Sequence, residues 1–402
     1  MSEHTATRND PVELARGLAA DFAGRAAESD RTGSFPVEDF ADLRAAGLLG
    51  LMVPGRLGGL GAGFAGYAEV AMELGAGNGA TALVFNMHAS VTGALALTPD
   101  EVARALGVPD SYFQMRDRVL SAAADGALYG VAMSERGAGS RLSQLATTYE
   151  KVPEGWRING AKAFCSGAGH ADAYLVAARA GDLRSDSGAE PAKVSQFVVP
   201  ADTPGIVVEE TWDALGMRAT ASHDLHLDVV VAEDALIGGI EGLGVLLAQV
   251  MPQWLVASYA AVYVGVAQAS LDAAAGYVTE RNLGRLPAVR ARLGRADAAV
   301  AAARQVVREA ARRVDVAAGD PETNRWVWRA KLLAGQTAAE VAASMLEACG
   351  TAATRRGHPL ERLYRDARCG SLQPATSDVC ADWLGLAALG LDPENQAEVP
   401  RW

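Results

Sequence analysis

Cysteine is scarce in this chain. Cys165, Cys349, Cys369 and Cys380 are the four among 402 residues, and they form no CxxC pair and no metal-ligand spacing. That excludes a disulfide-stapled scaffold and a thiolate metal centre, and predicts a reduced, cytoplasmic protein. Positive charge is also short, with 36 basic against 48 acidic side chains and a net charge of −12. Nucleic acids and anionic membrane surfaces attract basic proteins, so neither is an expected partner. Long apolar runs are missing too. Arg, Glu or Asp interrupts the apolar stretches, which predicts no membrane-spanning segment. The opening MSEHTATRNDPVE is polar and carries no apolar signal core. Aromatics make up only 6% of residues, whereas alanine is abundant, a composition suited to tightly packed helices. There is no internal repeat and no low-complexity tract.

What is present divides into three zones. Residues 1–117 read as helical: PVELARGLAADFAGRAAESD, FPVEDFADLRAAGLLG, FAGYAEVAMELGAG and ATALVFNMHASVTGALAL have apolar residues at helical spacing. Pro36 marks one helix start, and Thr98 is a candidate N-cap for a short helix in TPDEVARALG. Residues 118–240 change character, with seven short runs bounded by Gly, Pro, Asp or Ser: ALYGVAMSE, ATTYEKV, WRINGAKAF, AYLVAARA, SQFVVPA, GIVVEET and LHLDVVVA. The polar stretch 181–193 between two of them reads as a surface loop. Residues 241–402 return to long helical patterns. One, running through Pro252, has room for a bend there. A second, AVRARLGRADAAVAAARQVVREAARRVD, is amphipathic, and two more follow. The expected fold class is α+β, mainly α: a helical N-terminal domain, a central antiparallel β domain and a C-terminal four-helix bundle. His223 and His226 share a strand at odd spacing, so they point to opposite faces and make a poor metal pair. No metal site is expected.

The middle zone carries a set of steps in fixed order: Ser134-Glu135-Arg136, Gly137 to Ser140, Thr147-Thr148, Asn159-Gly160-Ala161-Lys162 and Phe164-Cys165-Ser166. A strand end followed by glycine-rich backbone exposes N–H groups to a flat heterocycle or a phosphate. Ser134 and Ser166 offer hydroxyls, and Phe164 offers a ring face. Taken singly, each is also an ordinary turn with a core aromatic. Taken together, this order resembles the acyl-CoA dehydrogenase superfamily. The likeness extends to Leu215–Arg218, to FADLRAAGLLGLMVPGRLGGLG, to YVTERNLG and to HPLERLYRDAR, and so to nearly the whole chain.

The resemblance implies FAD bound between the β domain and the bundle, with a second subunit closing the adenosine end in a homodimer or homotetramer. It implies that Ser134, Phe164 and Ser166 touch the flavin ring, that Thr376 lies near it, and that Arg281 reaches the pyrophosphate of a neighbouring subunit. It places Ser140 at a pantetheine or CoA phosphate. Two departures follow. The segment that holds the adenosine end reads EACGTAAT, where Glu347 replaces a glutamine and Gly350 keeps its glycine. Arg141 stands where the family has an aspartate; it attracts a substrate phosphate or carboxylate, or else is a solvated surface arginine.

The most consequential departure is a missing acid. The family's catalytic glutamate falls eight residues after Asp366, which here is Pro374, and the alternative helix position holds Leu255. Desaturation of an acyl thioester removes an α-proton, and general-base catalysis commonly contributes about 10²–10⁴-fold. His88, Glu135 and Asp378 are the substitutes in reach of the argument. Each also has a structural role open to it: core histidine, structural glutamate, and partner of a helix N-terminus. Arg365 and Asp366 read as a mutual ion pair, and Cys165 as packing with a thiol close enough to the flavin for oxidation. The leading expectation is an FAD-dependent oxidoreductase acting on an acyl thioester, CoA- or carrier-bound, with a non-standard or absent base. The alternatives are a flavin-dependent monooxygenase, N-hydroxylase or oxidase of the same fold, reacting with O₂ or an electron-transfer partner, and a catalytically silent paralogue.

Overall fold

The computed structural model describes residues 10–139, 141–181, 193–243 and 253–391. Helix starts fall where the sequence supplies caps. α1 (Pro11–Thr32) begins with Asp10 accepting from Val12 N–H at 3.0 Å and ends at Gly33, whose φ of 71° closes the turn. α2 (Val37–Ala45) follows Pro36, which is its N-cap. α3 (Phe64–Gly77) and α4 (Gly79–Leu97) meet at Asn78, which ends the first and caps the second by accepting from Ala80 N–H at 3.1 Å. Thr98 differs from expectation. It ends α4 and donates back to Ala94 O, and α5 (Asp100–Ala105) starts after Pro99 with no side-chain cap. α6 (Asp110–Ala124) runs across the expected boundary at residue 117 and extends the helical region.

α4 corrects the reading of apolar runs. It is long and apolar enough, by length and composition, to cross a membrane, yet 83% of its apolar window is buried inside the protein. Asn86, His88, Ser90 and Thr92 are all buried along it, each bonded within the fold. A helix buried on every side needs no polar face, which is why its pattern has no amphipathic period.

The seven expected strands all form: β1 (Tyr129–Ala132), β2 (Thr148–Val152), β3 (Gly155–Cys165), β4 (Ala173–Ala180), β5 (Val194–Pro200), β6 (Ile206–Glu209) and β7 (His223–Val231). They make one seven-stranded sheet in the order β1-β4-β2-β3-β7-β6, with β5 on the other edge of β4. Four pairings are antiparallel, as expected, but β4 runs parallel to both β1 and β2. Parallel neighbours require a long return connection, and the loop after β1 with the β2–β3 hairpin supplies it.

Among the described residues five helices follow: α7 (Gln253–Glu280), α8 (Pro287–Ala317), α9 (Pro321–Cys349), α10 (Pro359–Arg368) and α11 (Ser377–Ala388). Four were expected; α10 lies in the HPLERLYRDAR motif. The bend considered at Pro252 falls outside the described residues. α8 buries Val289, Ala296, Val300, Ala303, Val307 and Val314, the apolar stripe its sequence predicts.

The three zones share one interior. A single hydrophobic cluster joins Phe22 and Phe85 of the N-terminal helices, Ile158 and Phe197 of the sheet, and Val262 and Trp328 of the bundle. α3 and α7 cross closely at Gly75 and Gly265, where a Cβ on Gly265 would stand 2.3 Å from Met72 O. Near the end of α8, Asp315 accepts from the first N–H groups of α3, Phe64 at 2.6 Å and Ala65 at 2.9 Å. The bundle thereby caps a helix of the N-terminal zone.

Candidate active site

The site is built at the end of β3. Register with β7 shifts between Lys162 and Cys165, and this bulge turns Lys162 and Cys165 inward and Phe164 outward. Phe164 takes φ 58° and is 60% exposed, an unusual state for a large aromatic residue. Met217 at φ 54° and Ala221 at φ 44° lie in the adjoining loop, so three of the four left-handed non-glycine residues among the described residues gather here. Such conformations cost about 1–3 kcal/mol each and persist where surrounding structure holds them for a purpose.

A buried ion pair fixes the bulge from below. Lys162 Nζ donates to Glu135 Oε1 at 2.7 Å, and Glu135 also accepts from the Ala146 and Thr147 N–H groups. Burial works to raise the Glu135 carboxyl; the bonds from Lys162, Thr147 and Ala146 outweigh it and hold the group below its ordinary value. Glu135 is therefore a structural anion with its oxygens occupied. Ser134 O accepts from Ala163 N–H at 2.8 Å, which brings Ser134 beside Phe164. Ser166 Oγ is 2.9 Å from Ser222 Oγ, which is 2.7 Å from Thr220 Oγ1, a buried file of hydroxyls ending on Met217 O.

Trp212 completes this wall, and sequence reasoning missed it. Its ring meets Phe164 edge-on at 6.1 Å. Its indole donates to Met217 O and its backbone N–H to His223 Nδ1, both at 3.1 Å. His226, three residues on, bonds Glu209 instead. No local pattern marks Trp212, because its role depends on a strand register set elsewhere.

The bundle side is tied to the same loop. Asp366, wholly buried, accepts from Met217 N–H at 2.6 Å and faces Arg362 at 3.4 Å. Burial raises its carboxyl against those partners. The expected Arg365–Asp366 pair is thus corrected: Arg365 binds Asp30 and Glu361. Neighbours along a helix point about 100° apart, so each finds a different partner. The turn after α10 leads to Pro374, Ala375 and Thr376. Thr376 caps α11, accepting from Val379 N–H at 3.3 Å.

The substitute bases fare poorly. His88 is buried; its Nε2 lies 2.7 Å from Leu49 O and its Nδ1 accepts from Tyr129 N–H at 3.1 Å. Both nitrogens are engaged by backbone, and burial pushes the ring down to about 4. It is a neutral structural histidine, not a proton acceptor. Asp378 is exposed on the first turn of α11. Cys165 is buried and its thiol is pushed up to about 12 by burial, so it is packing rather than a reactive sulfur. Leu255 has no acceptor by its chemistry.

The remaining expected residues lie elsewhere. Arg281 is exposed at the end of α7, its guanidinium 5.6 Å from the Tyr277 ring, which in turn meets His358 at 5.2 Å. Glu347 pairs with Arg292 at 2.5 Å, which removes the repulsion an unpaired carboxylate would bring to a phosphate. Gly350, at φ 74°, ends α9. Arg141 curls onto its own loop, donating to Ala138 O at 3.1 Å and Gly137 O at 3.3 Å. Ser140 falls outside the described residues.

Comparison with known proteins decides the family. Three successive regions match acyl-CoA dehydrogenase domains: the N-terminal domain over 5–106, the middle domain over 130–230 and the C-terminal domain over 244–382. The chain belongs to the acyl-CoA dehydrogenase family. It is 33% identical to L-evernosamine nitrososynthase of Micromonospora sp., covering 96% of this chain and 91% of that one. It is 29% identical to the putative acyl-CoA dehydrogenase YdbM of Bacillus subtilis, over 92% and 94% of the two chains. Among solved structures, FMN-bound TdsC of Paenibacillus sp. A11-2, a dibenzothiophene monooxygenase, superposes with a TM-score of 0.82 at 27% identity, covering 94% of this chain and 97% of that one. Members of this acyl-CoA dehydrogenase family are flavin-dependent oxidoreductases, and the exposed Phe164 ring, the hydroxyl file and the glycine-rich turn suit a flat heterocycle.

Proposed function

We propose that this flavin-dependent oxidoreductase is a monooxygenase of a small amine, sulfur or aromatic substrate rather than a desaturase of acyl thioesters. One observation carries the reading: among the described residues, none of the candidate side chains is placed to take an α-proton. Pro374 and Leu255 occupy the family's acid positions, both His88 nitrogens are bound to backbone, and Asp378 faces solvent. Oxygen insertion needs no such base. The likeness to a nitrososynthase and a dibenzothiophene monooxygenase supports the same direction.

Ser134, Phe164 and Ser166 would hold the isoalloxazine of FAD. Phe164 supplies a face, and Ser166 Oγ, backed by Ser222, supplies a hydrogen bond at the ring edge. Thr376 would border the ring, and Arg281 and Gly350, with the neutralised Glu347, would meet the phosphate and adenosine end from a second subunit. Bound flavin, reduced by an external electron donor, supplies two electrons to O₂; one oxygen atom enters the substrate and the other leaves as water. Trp212, in edge contact with Phe164, would stand beside the bound ring. Ser140 and Arg141 would face the substrate's anionic part. A homodimer or homotetramer in the cytoplasm fits the family and the four unpaired cysteines.

A second reading, acyl-thioester oxidation, keeps one observation in its favour: the 29% identity to a putative acyl-CoA dehydrogenase. One experiment separates the two. The protein is loaded with reduced flavin and exposed to isotope-labelled O₂ with a panel of small amines, sulfides and aromatics. Labelled oxygen in a product supports the monooxygenase. Bleaching of the oxidised flavin by an acyl-CoA panel under anaerobic conditions, with no labelled product, overturns it.

A further inference from the structure

Lys331 is a wholly buried lysine on α9. Its ammonium donates to Gly370 O at 2.8 Å and to Gln373 O at 3.1 Å. Among the described residues no carboxylate pairs with it, and the titratable neighbour acting on it is the Cys380 thiol. Two carbonyl dipoles satisfy N–H groups but do not neutralise a charge, and an uncompensated buried ion costs several kcal/mol. Burial lowers the ammonium only to about 8, so it stays charged at neutral pH.

The turn it grips is seated closely. A Cβ on Gly370 would lie 2.8 Å from the Tyr263 ring, and one on Gly335 of α9 would lie 2.9 Å from Gly370 O. Gln373 Oε1 and Ser377 Oγ are buried beside the turn, with no hydrogen-bond partner among the described residues. The turn follows α10, whose Asp366 holds Met217, and Met217 O holds the Trp212 indole against Phe164. The gripped segment Gly370–Gln373 therefore lies between Asp366, which anchors the Met217 loop, and Pro374 at the family's acid position.

We propose that Lys331 is the charged anchor of this wall, and that its ammonium makes the site favour reduced flavin over oxidised flavin. The inference rests on the flavin reading above. Reduction adds electrons to the ring system, and near neutral pH the reduced form carries negative charge. A fixed cation buried against the turn that leads to Pro374 is poorly screened and would stabilise that charge. Lys331 acts through the turn and its field, so it is a positioning residue. A methionine would satisfy packing but not the carbonyls. A glutamine would satisfy the carbonyls but not the field.

The test compares wild type, Lys331→Met and Lys331→Gln. Dissociation constants for oxidised and for dithionite-reduced FAD and FMN are measured anaerobically, with melting temperature as the folding control. The expected result is a loss of roughly tenfold or more for the reduced form in both variants, with the oxidised form changed by less than about threefold. Equal loss for both redox forms, no loss, or full recovery in the glutamine variant overturns the inference. If Lys331→Met does not fold, Lys331→Gln decides by the same criterion. Failure of the wild type to bind either form sinks the flavin reading itself, a separate result.

Discussion

His88 carries a prediction about pH. Its ring is neutral in the fold and pushed down to about 4, against an ordinary value near 6.5. The unfolded chain therefore binds the extra proton first, and stability is lost as pH falls from about 6.5 towards 4. The contribution is on the order of 3 kcal/mol. Urea titrations at pH 7.5 and 5 should show this slope in the wild type and a shallower one in His88→Gln, which carries no titratable ring. Phe164 carries a different one. It is largely exposed, so Phe164→Ala should leave far-ultraviolet circular dichroism and melting temperature near wild type while weakening flavin affinity about tenfold, read by quenching of flavin fluorescence. Glu135 behaves in the opposite way. Glu135→Gln leaves Lys162 charged and buried, and should cost about 3–5 kcal/mol in folding.

At the scale of elements, what matters is how closely helices and turns approach. Gly75 of α3 and Gly265 of α7 let the N-terminal zone lie directly on the bundle. Gly265→Ala should force the two helices apart, cost about 1–3 kcal/mol in denaturant titration, and loosen flavin binding in parallel, because α7 also carries Tyr263 against the Lys331-held turn. The helices themselves were legible in the sequence. α8 has an apolar stripe at the right spacing, α3 has the predicted bounds, and all seven strands fall on alternating or apolar runs. Other features were not legible. α6 and α10 carry many charges, and these bury part of their charged residues, Arg116 in α6 and Arg362 and Asp366 in α10, beside the apolar ones. The parallel pairing of β4 depends on partners far apart in the chain, which no local pattern reports.

For the whole molecule, the question is which chemistry the closed site admits. Replacing Pro374 by Glu restores a carboxylate at the family's position. On the monooxygenase reading, that variant should still leave its flavin unbleached by an acyl-CoA panel, since that reading assigns the site a substrate other than an acyl thioester. Bleaching by the variant and not by the wild type would show that thioesters enter and that the missing acid alone silences desaturation.

Sequence alone determined the family resemblance, the seven strands and most of the helices, and the residue types, Pro374 and Leu255, at the family's acid positions. These follow from residue type and spacing along the chain. Only the tertiary structure decided that His88 is locked by two backbone groups, that Arg365 and Asp366 turn to different partners, that Trp212 braces Phe164, and that Lys331 is buried with no carboxylate partner among the described residues. A side chain's protonation and partners are set by burial and by neighbours hundreds of residues away, and those exist only once the chain has folded.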